Sequence, residues 1–193
     1  METSGSPSTT DVHDSNNESF SLSGDEFDSI VGTIDVNEAT KTYLLAEKFG
    51  NTRFRDFQKE SVDAVLNKKN CLVIQPTGNG KSLCYQFPAI YTGNTTLVIT
   101  PTISLMHDQT RELKSKGIDA IFLGSAQTDP NADKWAFDKQ NPASVIFVSP
   151  EWLFGKSENM DEVKSLHEQK QLGLIAIDEA HLIYEWDGFR EHY

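Results

Sequence analysis

The sequence predicts an α/β fold, an open parallel β-sheet with helices on both faces. Three observations lead there. Five short runs, Cys71–Ile74, Thr96–Thr100, Ala120–Leu123, Ser144–Val148 and Leu174–Ile177, are rich in β-branched residues and apolar without alternation. A strand buried on both faces has that pattern. Helix-like stretches lie between them, at Lys81–Tyr91, Ile103–Lys116, about 132–139 and Asp161–Lys170. Such alternation argues parallel pairing, because each parallel step needs a crossover. Third, the first run passes through a glycine-rich loop straight into a helix, which is how a phosphate-binding turn is built.

Residues 1–35 are rich in Ser, Thr, Asn, Asp and Glu, with few apolar residues. Such a stretch buries too little surface to offset its ordering entropy, so a disordered acidic tail is expected. Its patch from Phe20 to Val31 is acidic and aromatic, and reads as a solvated tail or as a docking segment. The tail also explains the net charge of −12. Residues 1–40 carry nine acidic and no basic residues, leaving 41–193 at −3. A nearly balanced body neither supports nor excludes nucleic acid as a partner. The first residues, Met1 to Pro7, lack the basic start and apolar stretch of a secretory signal. No apolar run reaches the 18 residues a membrane helix needs. Cys71 and Cys84 form no CxxC pair and sit in apolar runs, so reduced, buried thiols of an intracellular protein are expected.

Residues 36–193 are expected to form one domain. Capping residues at Asp35–Glu38 open a helix that carries Tyr43, Leu44, Leu45 and Phe49 and stops at Gly50. A second covers Phe57–Leu66, with Val62, Val65 and Leu66 on one face. The first strand then runs into Gln75-Pro76-Thr77-Gly78-Asn79-Gly80-Lys81-Ser82. Gly78 and Gly80 let the backbone turn its N–H groups toward an anion, and the following helix adds its positive end. Lys81 is placed to reach β- and γ-phosphates, and the Ser82 hydroxyl to hold Mg²⁺. The strict phosphate-loop pattern puts Gly where this sequence has Gln75, so only its second half is met.

The last strand ends in Asp178-Glu179-Ala180-His181. Two carboxylates there are tolerable only if they emerge at the sheet edge, where open α/β sheets bind ligands. Asp178 is expected to coordinate Mg²⁺, through water, and Glu179 to orient the attacking water.

These motifs, in this order, resemble the RecQ family of superfamily 2 helicases. The resemblance runs from about Tyr43 to Tyr193. Phe49-Gly50 with Phe54-Arg55-Asp56-Phe57-Gln58 is similar to motif 0, and Pro76 to Gln86 to motif I, where position 75 is commonly not Gly. Thr100-Pro101-Thr102-Ile103-Ser104-Leu105-Met106-His107-Asp108-Gln109 resembles motif Ia. Leu123 to Gln127 and Val148-Ser149-Pro150-Glu151 resemble two further segments. Asp178 to His181 is similar to motif II. Trp186-Asp187-Gly188-Phe189-Arg190 resembles the aromatic-rich loop, one residue shorter than the common W-G-H-D-F-R form.

The resemblance implies a RecA-like domain that uses ATP and Mg²⁺ in an ATP-dependent DNA helicase of 3′-to-5′ polarity, in the nucleus. It implies that Gln58 bonds the adenine edge and that Arg55 packs on the ring. The family often has an aromatic or apolar residue at position 51; here it is Asn51. Trp186 and Phe189 are implied to stack on DNA bases and Arg190 to meet phosphate or the nucleotide site. Ser104 and Ser149 are implied to line the DNA path. Nothing resembling motifs III to VI is read before Tyr193, and the family's second lobe supplies an arginine finger. These 193 residues alone are therefore expected to bind Mg-ATP weakly, to hydrolyse it very slowly and not to unwind DNA. The competing expectations are a one-lobe ATP- or DNA-binding module without motor activity and an RNA helicase of the DEAH type.

Overall fold

The computed structural model describes residues 36–182. The expected tail over residues 1–35, and Trp186, Phe189 and Arg190, lie outside the described residues. Among the described residues four strands form one sheet: β1 (Thr95–Ile99), β2 (Ala120–Leu123), β3 (Val145–Val148) and β4 (Leu172–Ile177). Their order is β2-β3-β1-β4, and every pairing is parallel. The helices are α1 (Val36–Phe49), α2 (Asp56–Leu66), α3 (Leu83–Thr92), α4 (Ile103–Ser115), α5 (Ala132–Ala136), α6 (Pro150–Gly155) and α7 (Ser157–Glu168). No helix among the described residues is long and apolar enough to cross a membrane.

Alternate residues of each strand serve opposite faces. Leu97, Leu123, Ile146 and Val148 meet Ala132, Ala136, Leu153, Val163 and Leu166 from α5, α6 and α7. Val98, Ala120, Val145 and Phe147 meet Tyr85 and Ala89 from α3 and Met106 and Leu113 from α4. All of β3 is buried, which explains its unalternating sequence. Each such Val, Leu, Ile or Phe contributes roughly 1.5–3 kcal/mol by leaving water. A third cluster packs Leu45, Val62, Leu83 and Phe87 of α1, α2 and α3 together. The Phe87 ring meets Phe54 edge-on at 4.9 Å, with Tyr91 at 6.0 Å and Phe49 at 6.2 Å. Lys41 of α1 joins Glu38 at 2.7 Å and Asp63 of α2 at 2.6 Å.

The first expected strand, Cys71–Ile74, is not one. It is paired with none of the four strands, and Leu72 and Ile74 are 80% and 82% exposed. Cys71 is exposed with them, so only Cys84 is the buried thiol expected; burial pushes its pKa up. The composition fits a strand, but strand formation also needs a ladder and a covered face, and neither is present among the described residues. On β4, Leu174 and Ala176 pack inward while Ile175 and Ile177 stay about half exposed. β4 is an edge strand of this sheet, as β2 is on the other side.

Helix ends follow local chemistry. Gly50 has φ +69°, and its N–H donates to the Ala46 carbonyl at 3.1 Å, which is the stop expected for α1. The Ser149 hydroxyl accepts the Trp152 N–H at 3.1 Å, and Pro150 follows it, starting α6, a helix too short for periodicity to reveal. α5 ends at Ala136, before the expected 139, and α7 begins at Ser157, before the expected Asp161.

Candidate active site

The carboxyl ends of β1 and β4 carry the site. The ladder continues one step past β4, with the Asp178 N–H donating to the Ile99 carbonyl at 2.9 Å, so Asp178 emerges beside the end of β1. Glu179 follows at φ +51°, a left-handed turn uncommon for a residue with a Cβ. The turn ends the strand, and the Glu179 N–H donates to Asp178 Oδ1 at 2.9 Å. Glu179 Oε2 lies 3.3 Å from His181 Nδ1.

Opposite them is the loop from Pro76 to Ser82. The Asn79 N–H donates to the Pro76 carbonyl at 3.3 Å, and Gly78 and Gly80 sit at φ +77° and +81°. Gly80 is required twice, because a Cβ there would also lie 2.8 Å from Gln58 Nε2. Thr77, Gly78, Gly80, Lys81, Ser82, Asp178 and Glu179 line one concavity of about 420 Å³, together with Arg55, Gln58, Gln86 and Gln109. A larger hollow, about 930 Å³, surrounds Trp135 by the start of β2. Asp119, Asp129 and Asp138 border it with Lys114 and Lys134, and among the described residues no glycine-rich turn faces it.

Arg55 and Gln58 sit at the start of α2 and reach the phosphate loop. Gln58 is almost fully buried. Its Oε1 accepts the Arg55 N–H at 2.9 Å, half of a capping box, and its Nε2 donates to the Gly80 carbonyl at 2.8 Å. Arg55 Nη1 donates to the Asn79 carbonyl at 2.8 Å and to Asn79 Oδ1. Asn79 Nδ2 donates to Gln75 Oε1 at 2.8 Å. The Lys81 ammonium donates to the carbonyls of Gln75 at 2.9 Å and Pro76 at 3.3 Å. Both functions of the Gln58 amide thus serve the protein's own backbone here. Gln58→Ala is expected to lower stability by about 1–3 kcal/mol, since it strips a partner from a part-buried carbonyl. Urea unfolding measures this, and an unchanged midpoint would mean that water satisfies Gly80.

Asp178 has partners that sequence reasoning gave no role. Tyr85 of α3 lies 2.8 Å from Asp178 Oδ2, and Gln109 of α4 is next to both. Burial, reinforced by the Asp178 charge, pushes the Tyr85 phenol far up, so it stays a proton donor. The one available signal was a Tyr and two Gln on helix faces that are otherwise apolar, since buried polar tips need partners. Ser104 is exposed in the first turn of α4, free to meet a ligand. Ser149 is buried, and its oxygen is committed to capping α6.

The residues present fit Mg²⁺. Ser82 offers a hydroxyl and Asp178 a carboxylate, both hard oxygen donors on one concavity. Among the described residues no group of three or more His, Cys, Asp or Glu forms a cage. One carboxylate and one hydroxyl, with phosphate and water completing the shell, suit Mg²⁺, which keeps much of its hydration.

A phosphate loop facing an acidic strand end across a parallel sheet is a RecA-like arrangement, and the chain belongs to the DEAD/DEAH box helicase family, whose model matches residues 55–193. Within it, the relatives are RecQ-type DNA helicases. The chain is 40% identical over 151 residues to "ATP-dependent DNA helicase Q-like SIM" of Arabidopsis thaliana, covering 78% of this chain and 17% of the relative. It is 40% identical over 164 residues to "ATP-dependent DNA helicase RecQ" of Haemophilus influenzae, covering 82% and 25%. The chain therefore spans a quarter or less of the length of these two relatives. Among solved structures, the DUF1998 helicase MrfA bound to DNA and AMPPNP superimposes with a TM-score of 0.60 at 22% identity, covering 74% of this chain and 21% of that one. That likeness is one of fold.

Proposed function

We propose that this chain is the nucleotide-binding lobe of a RecQ-type, ATP-dependent DNA helicase that moves 3′ to 5′ on single-stranded or forked DNA. One observation carries the reading: the loop from Thr77 to Ser82 and the Asp178–Glu179 pair line the same concavity. The loop N–H groups and the start of α3 receive the phosphates. Lys81 leaves the Gln75 and Pro76 carbonyls to meet them, exchanging neutral acceptors for charged ones, which is favourable. Ser82 and Asp178 hold Mg²⁺, which neutralises phosphate charge when bound. Glu179 orients the attacking water. Arg55 presents an exposed guanidinium beside the loop and packs on the adenine ring. Gln58 reads the adenine edge only by giving up Gly80, so adenine recognition and loop position are linked through it.

DNA as the nucleic-acid partner is supported by the names of the RecQ relatives, which are DNA helicases. Ser104, Ser149, Trp186, Phe189 and Arg190 remain the proposed DNA contacts, with the Ser149 side chain contributing through the turn it caps. A nuclear site of action follows from the same reading. Unwinding belongs to the two-lobed protein, whose arginine finger is worth roughly 10³–10⁵ in rate in related hydrolases. These 193 residues alone bind Mg-ATP weakly, hydrolyse it very slowly and separate no duplex.

The test is Lys81→Ala. Removing one charge-assisted phosphate contact is expected to weaken binding of a fluorescent ATP analogue with Mg²⁺ by about 10–100-fold, with the unfolding midpoint little changed. Equal affinity for the variant and the parent would refute the phosphate-loop assignment.

A further inference from the structure

Three bonds fix the Asp178 carboxylate, and they come from three parts of the chain. The Tyr85 hydroxyl lies 2.8 Å from Asp178 Oδ2 and 2.8 Å from Gln109 Oε1. A phenol has one proton to give. The carboxylate is the stronger acceptor, so the proton lies toward Asp178, with Gln109 Oε1 sharing it as a second acceptor. Gln109 Oε1 also accepts from Gln86 Nε2 at 3.1 Å, and Gln109 Nε2 faces Asp178 Oδ2 at 3.4 Å. Turning the Gln109 amide over would set its oxygen against that carboxylate oxygen, so this orientation is the consistent one. Oδ2 therefore has both lone-pair directions in use. Among the described residues Oδ1 accepts only the Glu179 N–H, at 2.9 Å, and one of its lone-pair directions has no partner there.

We propose that Tyr85 and Gln109 are positioning residues that occupy Oδ2 and thereby present Oδ1 of Asp178 to the hydration shell of Mg²⁺. This rests on the Mg-nucleotide reading above. Without the two donors the carboxylate is held by the Glu179 N–H alone, and Oδ2 competes for the cation's water. Tyr85 comes from α3, which follows the phosphate loop, and Gln109 from α4, which follows β1. The orientation of one carboxylate thus depends on the packing of two helices against the sheet face.

The experiment is Mg²⁺ titration of fluorescent nucleotide binding by the full chain, wild type beside Tyr85→Phe. Phe keeps the ring that packs against the sheet. The Mg²⁺ concentration for half-maximal binding is expected to rise about 10-fold, within the range typical for partners of metal ligands. Binding in EDTA is expected to stay unchanged. Gln109→Ala, at a partly exposed position and with the longer 3.4 Å contact, is expected to shift the midpoint in the same direction by a smaller factor. An unshifted Mg²⁺ midpoint in both variants overturns the proposal. So does an equal loss with and without Mg²⁺, which would make Tyr85 merely structural. A wild type that binds no nucleotide at any Mg²⁺ concentration sinks the proposal together with the reading on which it stands, whereas a binding wild type with unshifted variants sinks the proposal alone.

Discussion

Glu179→Gln is expected to leave Mg-ATP binding within about twofold and to slow hydrolysis by about 10²–10⁴, the usual contribution of a general base. The substitution keeps the shape and removes the basic oxygen. It also keeps the backbone problem constant, because Glu179 sits at φ +51° and Gln bears the same left-handed cost. The turn that imposes this φ puts the Glu179 N–H on Asp178 and its side chain on the phosphate-loop concavity. The carboxylate is about one-fifth exposed, close enough to solvent to take up a water. Single-turnover hydrolysis by the whole protein with single-stranded DNA measures the effect. A variant that hydrolyses ATP at the parent rate would remove Glu179 from the chemistry.

Phe87→Ala is expected to cost about 3–5 kcal/mol, a large part of the 5–15 kcal/mol that stabilises a typical domain. Phe87 has no exposed surface and stands among three aromatic rings from α1, α3 and the turn before α2. Deleting the ring leaves a cavity between elements that cannot all collapse onto it. The ion pairs of Lys41 are no substitute, since its carboxylate partners Glu38 and Asp63 stay open to water that screens the attraction. The consequence reaches the site, because this cluster holds α2 against α3 and so keeps Gln58 beside Gly80. Urea unfolding is the measurement. A loss under about 1 kcal/mol would mean that the three helices are held by something else.

The sheet was legible where burial on both faces leaves its mark, as in the four-residue apolar run that became β3. Cys71–Ile74 has the same composition and took no place in the ladder, because pairing depends on a neighbour that composition does not report. The phosphate loop was legible because Gly78 and Gly80 are needed for positive φ, a local requirement. Asp178 and Glu179 were legible because carboxylates after an apolar run are anomalous. The Tyr85–Asp178–Gln109 contacts were not. Their members stand 93 and 69 positions apart, and no periodicity spans such a distance. Gln58 was placed by family resemblance alone, and its hold on Gly80 became visible only with coordinates. Ser149 illustrates the opposite case, since a Ser before Pro and Glu is a cap signature that could have been read locally.

The strand order has a consequence for how the chain is made. β1 pairs with β3 on one side and β4 on the other, and Leu97 lies beside Ile175. Roughly 80 residues separate those partners, so at a synthesis rate of about 5–20 residues per second β1 waits some ~4–16 s for its second neighbour. Through that interval the side of β1 that later meets β4 stays without its ladder. Of the four described strands the last to emerge completes the pairing of the first, and its end brings Asp178 to the site, so the site assembles only after the sheet has closed on β1.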